Sequence, residues 1–275
     1  MNPVISIVIV NYNYGRFLET AIKSIIEQDG FEQCELIVVD GGSTDNSVEV
    51  IKKYEGSIAW WVSEKDRGQS DAFNKGFSHA QGRLGCWVNA DDLLLPGTLR
   101  AVLDYLIDHP QCEWMTGGMV FFDADEKIMW MRLGVQPLSF MWRWMPGWCI
   151  GGPSSFFSLE KLRMVGGFDV TRYYSMDIDL WYKLFQCGLH PHHINRYFWG
   201  FRAHEASKTA HTLNMAMSKD MFQEKLKLFA VYGLSVWKIR IGSVILRLFG
   251  CLGLMRSYWD SFQYGKMPLR TFRNR

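Results

Sequence analysis

Apolar positions in the first 110 or so residues of the chain switch repeatedly between two patterns. Residues 4–10 form an unbroken run rich in β-branched side chains. Leu18, Ala21, Ile22, Ile25 and Ile26 then follow at the spacing of one helical face. The pair recurs three times: 36–39 before a helix expected from about Ser43, 58–62 before one with Phe73, Gly76, Phe77 and Ala80 inward, and 84–88 before one with Leu99, Val102, Leu103 and Leu106 inward. Strand and helix in regular succession predict an α/β fold with a doubly wound, mostly parallel sheet. Past residue 112 the repeat gives way to an expected hairpin around 123–127, a Trp- and Met-rich stretch over 130–148, and a helix over 176–185. This second half reads as α+β. The chain therefore divides into an α/β half (1–112), an α+β half of the same domain (113–212) and a helical, basic and apolar tail (213–275).

Composition narrows the class. With 48% apolar and 15% aromatic residues, the chain of 275 can bury a large core and is not a disordered sequence. A net charge of +2 is too small for a nucleic-acid partner, which demands a dense basic face. The six cysteines are scattered singly without a CxxC pair and read as reduced thiols of a cytoplasmic protein. The first residues have no basic n-region and reach polar Asn11 too soon for a signal peptide, so they are expected to form a buried strand. His190, His192 and His193 alternate along an expected strand, which keeps them from sharing one zinc ion.

Ligands of open parallel sheets collect beyond the carboxyl ends of the strands. There the chain carries Asn11-Tyr12-Asn13, Asp40-Gly41-Gly42 and Asn89-Ala90-Asp91-Asp92. Neither GxGxxG nor GxxxxGK[ST] occurs, so a phosphate bound here would need another device. Adjacent Asp91 and Asp92 repel each other, and a divalent cation bridging to a diphosphate would relieve them. The same pair would serve equally to cap a helix starting near Pro96. Asp40 reads either as a turn former or as an acceptor for the N–H edge of a base.

Five segments in order, Val-Ile-Val-Asn-Tyr-Asn, Val-Val-Asp-Gly-Gly-Ser-Thr-Asp-Asn-Ser, Asp-Arg-Gly-Gln-Ser-Asp-Ala-Phe-Asn-Lys-Gly, Asn-Ala-Asp-Asp and Val-Gly-Gly-Phe-Asp, resemble family 2 glycosyltransferases over residues 3 to about 210. The resemblance implies the GT-A fold and inverting transfer of a sugar from a nucleoside diphosphate donor, of the kind that builds bacterial surface polysaccharides. It makes 1–112 the nucleotide-sugar half and 113–212 the acceptor and catalytic half. It also implies that Tyr12 stacks on the base, Asp40 hydrogen-bonds it, and Gly68 and Asn74 lie along the nucleotide. Asn89-Ala90-Asp91-Asp92 resembles the family's DxD motif with Asn in place of the first Asp. Asn89 can still meet a ribose hydroxyl, and Mn²⁺ or Mg²⁺ falls to Asp91 and Asp92.

Inversion requires a base to take the proton of the attacking hydroxyl. Asp177 heads a stripe with Leu180, Trp181 and Leu184, where it either caps the helix or serves as that base. The segment resembles the family's acidic pair before Leu-Trp, with Met176 replacing the first acid, and this implies the base role for Asp177. Asp179 lies about 200° round the helix and need not share that environment. The stretch from Phe201 resembles the family's late loop, which makes Arg202 a donor-binding candidate and His204 a metal-binding one. Trp148, with Trp142 and Trp144 before it, and Asp179 are candidates for the acceptor side, the tryptophans as a stacking platform for a lipid-linked or growing glycan.

Two rival readings stand beside this one. They are a nucleotidyltransferase that makes activated sugars, and an inactive scaffold that still binds nucleotide sugars. The tail carries Lys238, Arg240, Arg247, Arg256, Lys266, Arg270, Arg273 and Arg275 against Asp260 alone. Its least charged run, 241–255, contains Arg247 and falls short of the roughly 20 residues that cross a bilayer. It reads either as an anchor on an anionic membrane surface, which would put the protein on the cytoplasmic face of the inner membrane, or as helices packed back on the domain.

Overall fold

The computed structural model describes residues 2–134, 150–205, 207, 219–234, 237 and 251–272. The α/β repeat comprises β1 (Ile5–Asn11), α1 (Gly15–Ile26), β2 (Cys34–Asp40), α2 (Ser47–Lys53), β3 (Trp60–Ser63), α3 (Gln69–His79), β4 (Leu84–Asn89), the short β5 (Leu93–Leu94) and α4 (Thr98–Asp108). The second half contributes β6 (Trp114–Phe122), β7 (Ile128–Arg132), β8 (Ser155–Ser158), α5 (Leu159–Met164), α6 (Met176–Gln186) and β9 (His192–Arg202). Two helices follow, α7 (Lys219–Val231) and α8 (Cys251–Tyr264).

All nine strands join one sheet in the order β3-β2-β1-β4-β8-β6-β9-β5, with β7 beside β6. Strands β3, β2, β1 and β4 are mutually parallel, and β8 then joins β4 and β6 antiparallel. The sheet thus runs without a break across residue 112, and the second half extends the first.

Strand β1 is buried along its whole length because both faces are covered. Ile5, Ile7 and Ile9 pack with residues of α1 and α4, while Val8 and Val10 pack with residues of α3 and α6. A parallel strand covered on both faces reads as an apolar run rather than an alternation, which is the pattern seen in the sequence. Helix α3 lies so close to β1 that a Cβ on Gly76 would stand 2.5 Å from Val8 Cγ1.

Two expected boundaries move. The helix expected from Ser43 begins at Ser47, because the intervening side chains bind the neighbouring loop: Ser43 Oγ accepts from Asn13 N at 2.7 Å and Asp45 Oδ2 from Gly15 N at 2.8 Å. The third strand starts at Trp60, since Ile58 N is used by a tight turn that ends on Glu55 O.

The described part of the tail packs back on the domain. Strand β7 exposes an edge, and α8 covers it: Ser261 Oγ accepts from Met131 N at 2.9 Å and Ser257 Oγ from Leu133 N at 3.1 Å. Tyr197 OH donates to Asp260, and Leu269 and Phe272 are buried beside Tyr197. Among the described residues no helix is long and apolar enough to cross a membrane.

His192 and His193 sit at the start of β9, with His192 exposed against Tyr105 OH at 3.0 Å and His193 turned inward beside Thr116. Burial pushes the His193 imidazole down from 6.5 to about 4. A histidine that resists protonation stabilises the fold in full above its unfolded value. That contribution is lost as pH falls from about 6.5 toward about 4. The shift is worth on the order of 3 kcal/mol. Urea titrations at pH 7 and pH 4.5 should therefore show a smaller loss of stability for H193Q than for the unchanged chain. Equal losses would mean that another group carries the acid sensitivity.

Candidate active site

The ends of β1 and β2 are tied together by one carboxylate. Asp40 is fully buried and accepts four hydrogen bonds, from Asn11 Nδ2 at 2.6 Å, Ser63 Oγ at 2.6 Å, and the hydroxyl and amide of Ser43 at 2.5 and 2.9 Å. It therefore stands behind the wall formed by Asn11 and organises the loops around it. Tyr12, 61% exposed, stands at the rim with its ring open to a flat partner.

Beside Tyr12 lies Asp66, whose Oδ1 accepts from Gly68 N at 2.8 Å. A Cβ on Gly41 would come within 2.6 Å of Asp66 Oδ2, so only glycine there lets the aspartate approach. Gly68 opens α3 with φ +112°, a conformation that side chains disfavour. Asn74 does not reach the cleft. Its amide makes both bonds to the backbone of Phe168, 2.8 Å each way, and ties α3 to the Gly-Gly-Phe turn of the second half.

The second group forms where β4 ends. Asn89 donates to Asp92 Oδ2 at 2.7 Å and accepts from Gln69 Nε2 at 2.9 Å. Asp92 is 1% exposed, and burial together with the adjacent Asp91 holds its carboxyl well above the usual carboxylate range. The end of β9 crosses this segment. Arg202 N donates to Asp92 Oδ1 at 3.1 Å, and its guanidinium donates to Asp91 O at 3.1 Å while lying over the rings of Phe17 and Phe122.

His204 Nε2 stands 3.0 Å from Asp91 Oδ2, and its Nδ1 is buried without a hydrogen-bond partner among the described residues. Tyr14 packs edge-on to His204, and burial and then the Asp91 charge push its hydroxyl up to about 12. The pair Asp91-Asp92 does not cap the helix that follows: α4 starts after Gly97 and no side chain caps it.

These residues fit a divalent cation in part. Among the described residues, no three His, Cys, Asp or Glu side chains converge on one point. What the chain offers is one carboxylate and one imidazole, Asp91 and His204, meeting at 3.0 Å with a second carboxylate buried behind them. The remaining positions on a cation would fall to the ligand, as suits an ion that travels with a diphosphate.

The second half supplies Asp177. It lies in the first turn of α6, two residues past the N-cap position Ser175, and its Oδ1 accepts from Ile178 N at 2.8 Å. The aspartate faces a cleft of about 440 Å³ that Asp66, Asp91 and Asp92 also line. Asp179 points elsewhere: it is 3% exposed, pairs with Lys183 at 2.7 Å and accepts from Tyr232 OH at 2.7 Å. Trp142, Trp144 and Trp148 lie outside the described residues.

Aromatic side chains complete the cleft: Tyr14, Tyr173, Tyr174, Trp199 and Phe201, with no lysine or arginine among the described lining. The sequence reading assigned no role to these or to Asp66. Asp66 had a signal, its place directly before Arg67-Gly68 in a recognised motif. Tyr173 and Tyr174 sit in an irregular loop, where periodicity says nothing.

The profile of the family described as "Glycosyl transferase family 2" matches residues 6–151, more than half of the chain. An uncharacterized glycosyltransferase of Nostoc sp. is 37% identical over 103 residues, 36% of this chain and 32% of the relative. The minor teichoic acid biosynthesis protein GgaB of Bacillus subtilis is 36% identical over 109 residues, 38% of this chain and 12% of its own. An uncharacterized glycosyltransferase of Rickettsia typhi is 25% identical over 193 residues, and the match spans 58% of its length. The chain thus covers less than two thirds of these relatives.

Among solved structures, S. aureus TarS 1–349 in complex with UDP-GlcNAc superposes with a TM-score of 0.61 at 15% identity, over 82% of this chain and 65% of that one. The mannosyltransferase PcManGT of Pyrobaculum calidifontis, in complex with GDP-Man and Mn²⁺, superposes with a TM-score of 0.59 at 18% identity, over 98% and 83%. The architecture is the GT-A fold, and the chain belongs to glycosyl transferase family 2.

Proposed function

We propose that this chain moves a sugar from a nucleoside diphosphate sugar to an acceptor hydroxyl with inversion, with Asp177 as the general base. The observation that carries the proposal is that Asp177 of α6 and Asp91 of the β4–β5 turn line one cleft. Four carboxylates line it: Asp66, Asp91, Asp92 and Asp177. Asp66 accepts from Gly68 beside Tyr12, Asp92 is buried under Asn89 and Arg202, and Asp91 meets His204. Asp177 stands in the first turn of α6 with its Oδ1 accepting from Ile178 N at 2.8 Å, and the proton transfer is assigned to it. As the acceptor oxygen attacks the anomeric carbon, its proton passes to the Asp177 carboxylate, and the electron pair of the breaking C–O bond leaves on the diphosphate.

The charge of the cleft supports a metal requirement. Its described lining holds acids and no lysine or arginine, and Arg202 is committed to Asp91 O and Glu126. A cation accompanying the diphosphate would offset these acids. Asp91 and His204 would hold Mn²⁺ or Mg²⁺, with Asp92 behind them. When bound, such an ion offsets the charge that builds on the departing diphosphate. Asn89 and Arg202 keep this turn in place. Tyr12 offers its ring to the base, and Asp40 acts on that pocket through Asn11 and Ser43 rather than by direct contact.

The aromatic lining suits sugar rings. Together with a relative named for teichoic acid biosynthesis, it supports a lipid-linked or growing surface glycan as acceptor. Trp259 and Phe262, 67% and 85% exposed on α8 near exposed Lys266 and Arg270, support contact with an anionic membrane surface from the cytoplasmic side.

Three outcomes test this reading. D177N should lower kcat by about 10²- to 10⁴-fold while UDP or GDP still binds with Mn²⁺; undiminished turnover would remove Asp177 from the mechanism. Thermal shifts with UDP, GDP, dTDP and CDP, each with Mn²⁺ or with EDTA, should show one diphosphate that stabilises the chain only with metal. D91A should abolish that shift, and a shift that survives either D91A or EDTA would sink the metal assignment. For the membrane, the double variant W259S/F262S should sediment less with phosphatidylglycerol vesicles than the unchanged chain, and equal sedimentation would count against attachment.

A further inference from the structure

Helices α6 and α7 both lie beyond the residues that match the family profile, and α7 with the residues just after it holds α6 at two points. Glu224 Oε1 accepts from the amides of Tyr174 at 2.9 Å and Ser175 at 2.8 Å, and Oε2 from the amide of Tyr173 at 3.2 Å. Just past α7, Tyr232 OH donates to Asp179 on α6 at 2.7 Å. The helix is seated firmly, with Leu228 fully buried and Met221 5% exposed.

The three amides that Glu224 gathers are consecutive. They belong to the two tyrosines that line the cleft and to the N-cap residue of α6, and Asp177 follows two residues later. Ser175 makes no side-chain cap bond; within the first turn Asp177 accepts from Ile178 N at 2.8 Å, and the amides of residues 173–175 just before it are bound by Glu224 from another element of the chain. An ionised acceptor binds amides about twice as strongly as a neutral one, and a negative charge is favoured at a helix N-terminus.

We propose that Glu224 is a positioning residue for the transfer step: by holding residues 173–175 it sets where Asp177 and the tyrosine wall stand relative to the reacting hydroxyl. The inference rests on the reading of Asp177 as the base. Glu224 makes none of its bonds to the metal and diphosphate end, where Asp91, His204 and Arg202 are held by β4 and β9. A displacement of about 1 Å at a reacting group costs on the order of 100-fold in rate. Loss of Glu224 should therefore slow chemistry and spare donor binding.

The test uses the full chain unchanged and as E224A, E224Q, E224D and D177N. Release of nucleoside diphosphate from UDP-N-acetylglucosamine and from GDP-mannose is followed with Mn²⁺, water serving as acceptor. Affinity for UDP and GDP with Mn²⁺, and the melting temperature, are measured alongside. E224A should lose about 10- to 100-fold in kcat. Its KM and diphosphate Kd should stay within about twofold of the unchanged chain, which is the split that positioning predicts. E224D, which keeps the carboxylate, and E224Q, which keeps one acceptor oxygen, should fall between.

The proposal is overturned if E224A and E224Q turn over within about twofold of the unchanged chain. It is equally overturned if kcat, diphosphate affinity and melting temperature fall together in both, since that is a purely structural role. If E224A does not fold, the isosteric E224Q decides. A fully active D177N would overturn the assignment of the base and this inference with it. An inactive D177N beside active Glu224 variants would sink the positioning role alone.

Discussion

Two carboxylates in succession at the end of a strand repel each other, and much of the cleft is arranged around that repulsion. Asp92 turns inward, where burial and its neighbour favour the protonated form, and three groups come to meet it and Asp91: the Asn89 amide, the Arg202 backbone and guanidinium, and the His204 ring. Two of those residues lie more than a hundred positions away in sequence. They arrive because β9 runs parallel to β6 and closes antiparallel on β5, whose two residues directly follow Asp92. The late strand thus carries its Arg and His to the one place where the early strand leaves unbalanced acid.

The same logic explains which parts were legible in the sequence. The α/β half could be read because its strands are covered on both faces, so apolar runs and helical stripes mark each element directly. The side chains at the strand ends could also be read, because unusual residues stand where ligands of such sheets collect. Their individual roles were less accessible. Asp40 and Asn74 occupy recognised motif positions, yet each spends its hydrogen bonds on the protein: Asp40 on the loops after β1, β2 and β3, Asn74 on the backbone of Phe168. A motif specifies residue type, whereas the direction of a side chain depends on partners distant in sequence.

Asp177 and Asp179 make the point within one helix turn. Both are acids in the first turn of α6, and spacing alone separates their directions without saying which faces the cleft. The answer comes from Tyr232, just past α7, and from Lys183 of α6 itself. Tyr232 and Lys183 take Asp179 into a buried cluster, which turns Asp177 the other way, toward Gly152 and the open space. The Lys183 pair is local, but the Tyr232 contact joins residues far apart in sequence, which no local pattern could have revealed.

The placement of the acids in the cleft bears on the order of events that the proposed function implies. Asp66, Asp91 and Asp177 line the cleft with Asp92 buried at its edge, and a cation accompanying an anionic donor would be held where Asp91 and His204 meet at 3.0 Å. On the proposed reading, the donor's diphosphate would be directed to the β4 end of the cleft, away from Asp177. The group that neutralises it would then be held by residues of β4 and of the segment after β9, and proton transfer would fall to α6. Separating the two duties in this way would let a single carboxylate on α6 serve proton transfer without also having to bind the leaving group.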